Sequence, residues 1–168
     1  MISKSAMTRL VLVMSLSFAL VATGCSSAKK KGDEDGSVLS AAGADENTMG
    51  DSDSGKAMGL QTVFFPFDSF TLDQQSRSAL KANAEILKGN EKVHVQIEGH
   101  CDQRGGIQYN IALGEKRANA TMKYLVDLGV SASRMTVISM GKEKPLDSGT
   151  SEEAYAKNRR SNFVITSK

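Results

Sequence analysis

Between Val93 and Glu98 apolar and polar residues alternate, Val93, Val95 and Ile97 against His94, Gln96 and Glu98, which is the period of a strand with one buried face. Upstream, Leu80, Ala84 and Leu87 recur at three-to-four spacing. They predict a helix capped by Thr71 or Asp73 and closed at Gly89-Asn90. A second helix is predicted from about Tyr109 to Leu128, with Ile111, Ala118, Met122 and Leu125 on one face and Gly129 at its end. Gln61–Phe65 has strand composition, but Pro66 cannot donate to a ladder, so this strand is expected at an edge. Met135, Val137 and Ile138 mark a third strand ending near Gly141. Ser151-Glu152-Glu153 opens a short helix, and Asn158-Arg159-Arg160 leads into a last strand, Asn162–Thr166. The order β-α-β-α-β-α-β predicts an α/β (α+β) two-layer sandwich, one face of one sheet covered by helices. About a hundred residues suffice for such a core.

The chain before this pattern is different. Lys4 and Arg9 precede an apolar run, Leu10 to Val21, which is too short to cross a bilayer and suits the apolar region of a secretory signal. Val21-Ala22-Thr23-Gly24-Cys25 then resembles the lipobox of bacterial lipoproteins, in which the Cys becomes the lipidated first residue. Residues 1–24 are expected to be a signal peptide, 25–59 a lipidated N-terminus and flexible linker, and 60–168 the folded domain. The alternative is an ordinary signal peptide and a soluble exported protein. The Ser, Gly, Ala, Asp and Lys composition of the linker buries nothing, and its roughly 34 residues would span about 30 Å as a coil.

Charge narrows the function classes. The net charge of +2 is small, basic and acidic residues are mixed, and Trp is absent, which leaves little of the footprint of a nucleic-acid reader. With Cys25 acylated, Cys101 has no partner for a disulfide and is read as a small packing residue.

Glu98–Ala118 is denser in His, Asp, Arg, Asn and Gly than a connection needs. Asn110, Leu113 and Arg117 share a helix face that leans toward the turn holding Asp102 and Arg104. Two readings stand. Asp102 and Arg117 could be an ion pair fixing the corner, with Asn110 capping backbone. Alternatively they form an amino-acid clamp, Arg117 taking a carboxylate and Asp102 an ammonium, with Gly105-Gly106 allowing close backbone approach. A catalytic set from Glu98, His100 and Asp102 lacks a nucleophile or metal triad, so an enzyme and a cofactor are not expected.

Phe67-Asp68-Ser69, the Glu98–Gly105 and Tyr109–Ala118 runs, Ser139-x-Gly141-Lys142-Glu143-x-Pro145 and Asn158-Arg159-Arg160 together resemble the OmpA-like C-terminal domain family, in its branch of peptidoglycan-associated lipoproteins. The resemblance runs from Val63 to the C-terminus. It implies a four-stranded mixed sheet and non-covalent binding of peptidoglycan through the meso-diaminopimelate of its stem peptide. It implies Asp102 and Arg117 as principal ligands, Asp68, Arg104, Asn110 and Leu113 lining the pocket, and Phe67 beside it. It further implies attachment to the outer membrane through lipid on Cys25, with Ser26 suiting that sorting, and partnership with the Tol envelope proteins, TolB among them. Gln103 stands where the family commonly has Glu, and Gly106 where it often has Thr or Ser.

Overall fold

A computed structural model describes residues 49–168. The signal segment, the lipobox with Cys25 and the linker as far as residue 48 lie outside the described residues. The domain contains β1 (Val63–Phe64), α1 (Gln74–Gly89), β2 (His94–His100), α2 (Ile107–Asp127), β3 (Met135–Gly141), α3 (Glu152–Asn158) and β4 (Arg160–Ser167). The sheet order is β1-β4-β2-β3, with β2 parallel to β3 and antiparallel to β4, and β1 antiparallel to β4. It is the mixed sheet expected.

Among the described residues, two of the three helix starts carry side-chain caps, while α2 begins at Gly106 without one. Asp73 accepts from the Ser76 amide at the head of α1, and Ser151 from the Ala154 amide at the head of α3. Leu80, Ala84 and Leu87 of α1 pack with Ala118 and Leu125 of α2 against Val95, Ile97, Phe163 and Ile165 of the sheet to form the core. The edge strand is protected as well as short. Ser76 Oγ donates to the Phe64 carbonyl, and the Asn83 amide serves both the N–H and the C=O of Gln61 just before β1, so α1 takes up part of the backbone on which another strand could pair.

Two expectations are corrected. The folded domain does not begin at residue 60. Met49, Gly50 and Ser52 exchange backbone hydrogen bonds with Ile165 and Phe163 at 2.9–3.0 Å, Asp53 meets Arg160 at 2.7 Å, and Ala57 is fully buried. This strap escaped the periodicity because polar groups hold it: Asn162 Oδ1 alone accepts from the Ser52 amide, the Ser52 hydroxyl and the Asp53 amide. The buried face of α2 is also rotated from the apolar stripe. Ile111 and Met122 are only half-buried, and the inward face is Asn110, Leu113, Gly114, Arg117, Ala118, Thr121 and Leu125.

Two glycines explain that rotation. A Cβ on Gly99 would lie 1.8 Å from the Gly114 carbonyl oxygen, and one on Gly114 would lie 2.3 Å from Ser139 Oγ and 2.7 Å from the Gly99 oxygen. Backbone therefore rests on backbone where α2 crosses the end of β2. Only glycine permits that approach. The contact sets the first turns of α2 directly over the turn that follows β2.

Candidate functional site

At that junction the structure opens a pocket of about 170 Å³. Phe67 and Asp68 from the β1–α1 loop, Asp102 and Arg104 from the turn after β2, and Asn110, Leu113 and Arg117 from α2 all line it, so every sequence-predicted pocket residue is present. Cys101, Gly105 and Tyr109 complete the wall. A larger open groove runs between β1 and α1, but it gathers no opposed charges comparable to these.

The two principal residues are not joined to each other. Arg117 is fully buried, and its guanidinium donates to three backbone carbonyls: Nε to Ser69 at 2.8 Å, Nη1 to His100 at 2.8 Å and Nη2 to Pro66 at 3.2 Å. It forms no ion pair among the described residues. The corner ion pair between Asp102 and Arg117 is therefore absent, because the loop carbonyls take the guanidinium instead. Burial pushes the Arg117 pKa down, opposed by the neighbouring Cys101 and Asp102. An always-charged group with neutral partners is left against the pocket.

Asp102 is engaged elsewhere. One oxygen accepts from the Arg104 amide at 3.0 Å and Arg104 Nε at 3.2 Å, the other from Arg104 Nη2 at 2.7 Å and Arg159 Nη1 at 3.3 Å. Burial alone would raise its carboxyl, but the Arg104 side-chain and amide hydrogen bonds outweigh it, and the group is held below the ordinary aspartate range. Sequence reasoning assigned no pocket role to Arg159, Glu152, Tyr155 or Tyr109. The Asn158-Arg159-Arg160 run was the available signal, since two adjacent arginines at the start of a buried strand require partners.

The rest of the wall is stiff. Asn110 Nδ2 donates to the Arg104 and Gly106 carbonyls at 2.8 and 3.2 Å, and Lys142 Nζ donates to the Gly105 carbonyl at 2.8 Å, with Gly105 at φ +86°. Asn110 thus ties the turn to the helix, although the N-cap of α2 is Gly106 and carries no side-chain cap. The Tyr109 hydroxyl donates to Asp68, and that bond, before burial, raises the tyrosine pKa. Asp68 holds its place at φ +52°, a conformation Asp tolerates better than most residues.

The acid–base set does not assemble. His100 Nε2 lies 3.2 Å from Glu98 on the far side of the sheet, and its Nδ1 has no partner among the described residues. Strand alternation had put Asp102 beside them, but β2 ends at His100, and both Cys101 and Asp102 turn into the pocket. Burial raises the Cys101 thiol, whose Sγ donates to the Asn110 carbonyl at 3.3 Å. No cluster suited to a metal ion occurs among the described residues.

This chain belongs to the OmpA family, whose model matches residues 64–159. It is similar to the peptidoglycan-associated lipoprotein of Pseudomonas aeruginosa, 40% identical over 150 residues that cover 83% of this chain and 87% of the relative. The crystal structure of the peptidoglycan-associated lipoprotein from Burkholderia pseudomallei superposes with a TM-score of 0.60 at 41% identity, over 62% of this chain and 88% of that one. The C-terminal domain of Helicobacter pylori MotB shares the fold at 23% identity, with a TM-score of 0.61 over 66% of this chain and 87% of that one. The Pseudomonas and Burkholderia relatives are named for association with peptidoglycan and for lipidation.

Proposed function

We propose that this protein is an outer-membrane lipoprotein, anchored through Cys25 and facing the periplasm, that holds the membrane to the cell wall by binding peptidoglycan non-covalently. The ligand is the free zwitterionic centre of meso-diaminopimelate in the stem peptide. Its carboxylate meets Arg117, and its ammonium lies toward Asp102, with Asp68 at the rim. Asn110 and Leu113 support the floor, and Phe67, Arg104 and Tyr109 form the walls. In this reading residues 1–24 are removed, the segment after Cys25 is the tether, and the Tol proteins, TolB among them, are partners in envelope integrity and cell division.

The observation that carries the proposal is the buried, anion-free guanidinium of Arg117. A buried charge without a counter-charge is costly, and a ligand carboxylate would supply one. The names of the relatives agree with a wall ligand. The test is a pull-down with purified sacculi. Arg117→Ala and Asp102→Ala are each expected to abolish retention while circular dichroism stays native; retention of both variants would contradict the assignment. Mass spectrometry of the mature N-terminus tests the anchor, and an unmodified Cys25 would favour a soluble exported binder instead.

A further inference from the structure

Asp102 cannot receive an ammonium without giving something up, since its two oxygens already accept from Arg104 and Arg159. Those two arginines also share a second carboxylate. Arg104 Nη1 lies 3.2 Å from Glu152 Oε2, and Arg159 Nη1 lies 2.8 Å from Glu152 Oε1. The four side chains close a ring in which carboxylates and guanidiniums alternate, Asp102 on the inside and Glu152, at the start of α3, on the outside.

The two arginines are held very differently. The Arg159 side chain is 8% exposed and is further fixed by the Phe65 carbonyl at 3.1 Å. The Arg104 side chain is 36% exposed, and apart from the carboxylates its guanidinium is held by ring faces, 4.1 Å from the Phe67 centroid and 4.4 Å from that of Tyr155. Stacking against aromatic rings tolerates sliding, and the fork that Arg104 makes on Asp102, Nε at 3.2 Å and Nη2 at 2.7 Å, is what an ammonium would have to replace. The geometry points to Arg104 as a displaceable counter-ion. A ligand ammonium takes its place on Asp102, and Arg104 shifts onto Glu152 without leaving its stack between Phe67 and Tyr155. Arg159 stays, so Asp102 is never a lone buried charge during the exchange.

This deepens the ligand reading above and rests on it. It makes Arg104 a specificity element: a ligand with a carboxylate alone reaches Arg117 but cannot displace Arg104, whereas a zwitterion engages both residues. It also makes Glu152, which does not line the pocket, a positioning residue for the site.

The experiment is calorimetric titration of the full domain with a meso-diaminopimelate stem peptide and with its analogue lacking the distal amino group. Arg104→Met is expected to bind the diaminopimelate peptide about fivefold more tightly, the scale of losing one partly exposed ion-pair competitor, and to bind the analogue as the wild type does. Glu152→Gln is expected to weaken the diaminopimelate peptide by about threefold in the wild-type background and to have no effect on Arg104→Met. Unchanged or weaker binding of the diaminopimelate peptide by Arg104→Met, or a Glu152→Gln effect that persists in that variant, would overturn the exchange. If the wild type binds and Arg117→Ala does not, such a result leaves the ligand assignment standing. If the wild type binds neither peptide, both fall together.

Discussion

Two buried arginines on the same domain have opposite surroundings. Arg160, at the start of β4, is 4% exposed, and its Nε meets Asp53 at 2.7 Å, with the Asn158 and Lys144 carbonyls as further acceptors. Its charge is answered within the chain, and its work is to pin the strap to the sheet. Arg117 is more deeply buried still and, among the described residues, its guanidinium has only carbonyls as hydrogen-bond partners. A guanidinium neutralised by its own fold is a fastening. One left uncompensated beside a cavity is, in the function proposed above, the receptor for an anion. Residue type and burial do not separate the two, but the counter-charge does.

The largest effect is expected at Arg117. Arg117→Ala should lower affinity for the diaminopimelate peptide by 100-fold or more, roughly the loss of a charge-assisted hydrogen-bonded pair in a desolvated site. Asp53→Asn should leave that affinity within about twofold. Its effect should appear instead as a loss of about 3 kcal/mol in urea unfolding, because Arg160 becomes a buried cation without its partner. A reversal of these two outcomes would end the distinction between receptor and fastening.

Gly99→Ala sharpens the same contrast from the backbone side. The new methyl group would meet the Gly114 carbonyl, which cannot rotate away, so α2 must lift from β2. A loss of roughly 2–3 kcal/mol in stability, together with at least a tenfold loss of peptide affinity, is expected from differential scanning calorimetry and titration. Stability lost with affinity intact would show that the pocket does not depend on this crossing.

The pH dependence should be smaller. Asp102 has a folded-state pKa below its unfolded value of about 4, so the unfolded chain takes up the proton first as pH falls. Its contribution is present above about pH 4 and is lost as pH drops through the folded-state value. Urea midpoints should hold from pH 7 to about 5 and decline below about 4, and Asp102→Asn should flatten part of that decline. Glu98, whose carboxyl is also held low by His100 and Asn162 against the opposing effect of burial, accounts for some of the remainder.

Much of this was legible in the chain. The alternation at Val93–Glu98 and the three-to-four spacing of Leu80, Ala84 and Leu87 located β2 and α1, since each period is a direct projection of one buried face. Asn110, Leu113 and Arg117 could be placed beside Asp102 because helical spacing and side-chain tilt are local properties. Non-local partners were hidden. Asp102 meets Arg159 across 57 positions, and Asp53 meets Arg160 across 107, distances over which no sequence period operates. The strap from Met49 to Ala57 was missed for a related reason: hydrogen bonds to Asn162, Phe163 and Ile165 hold it to the sheet, and hydrogen bonding leaves no hydrophobic pattern. The inward face of α2 was misplaced because a buried arginine and a buried asparagine stood where apolar residues were sought.

In the proposed site Arg117 takes a carboxylate that stands next to an ammonium. Titration of the wild-type domain with a diaminopimelate stem peptide and with the same peptide carrying Lys, which lacks the distal carboxylate, tests it most directly. The expected result is at least tenfold tighter binding of the diaminopimelate peptide, a difference that disappears in Arg117→Ala. Equal affinity of the wild type for the two peptides would contradict it.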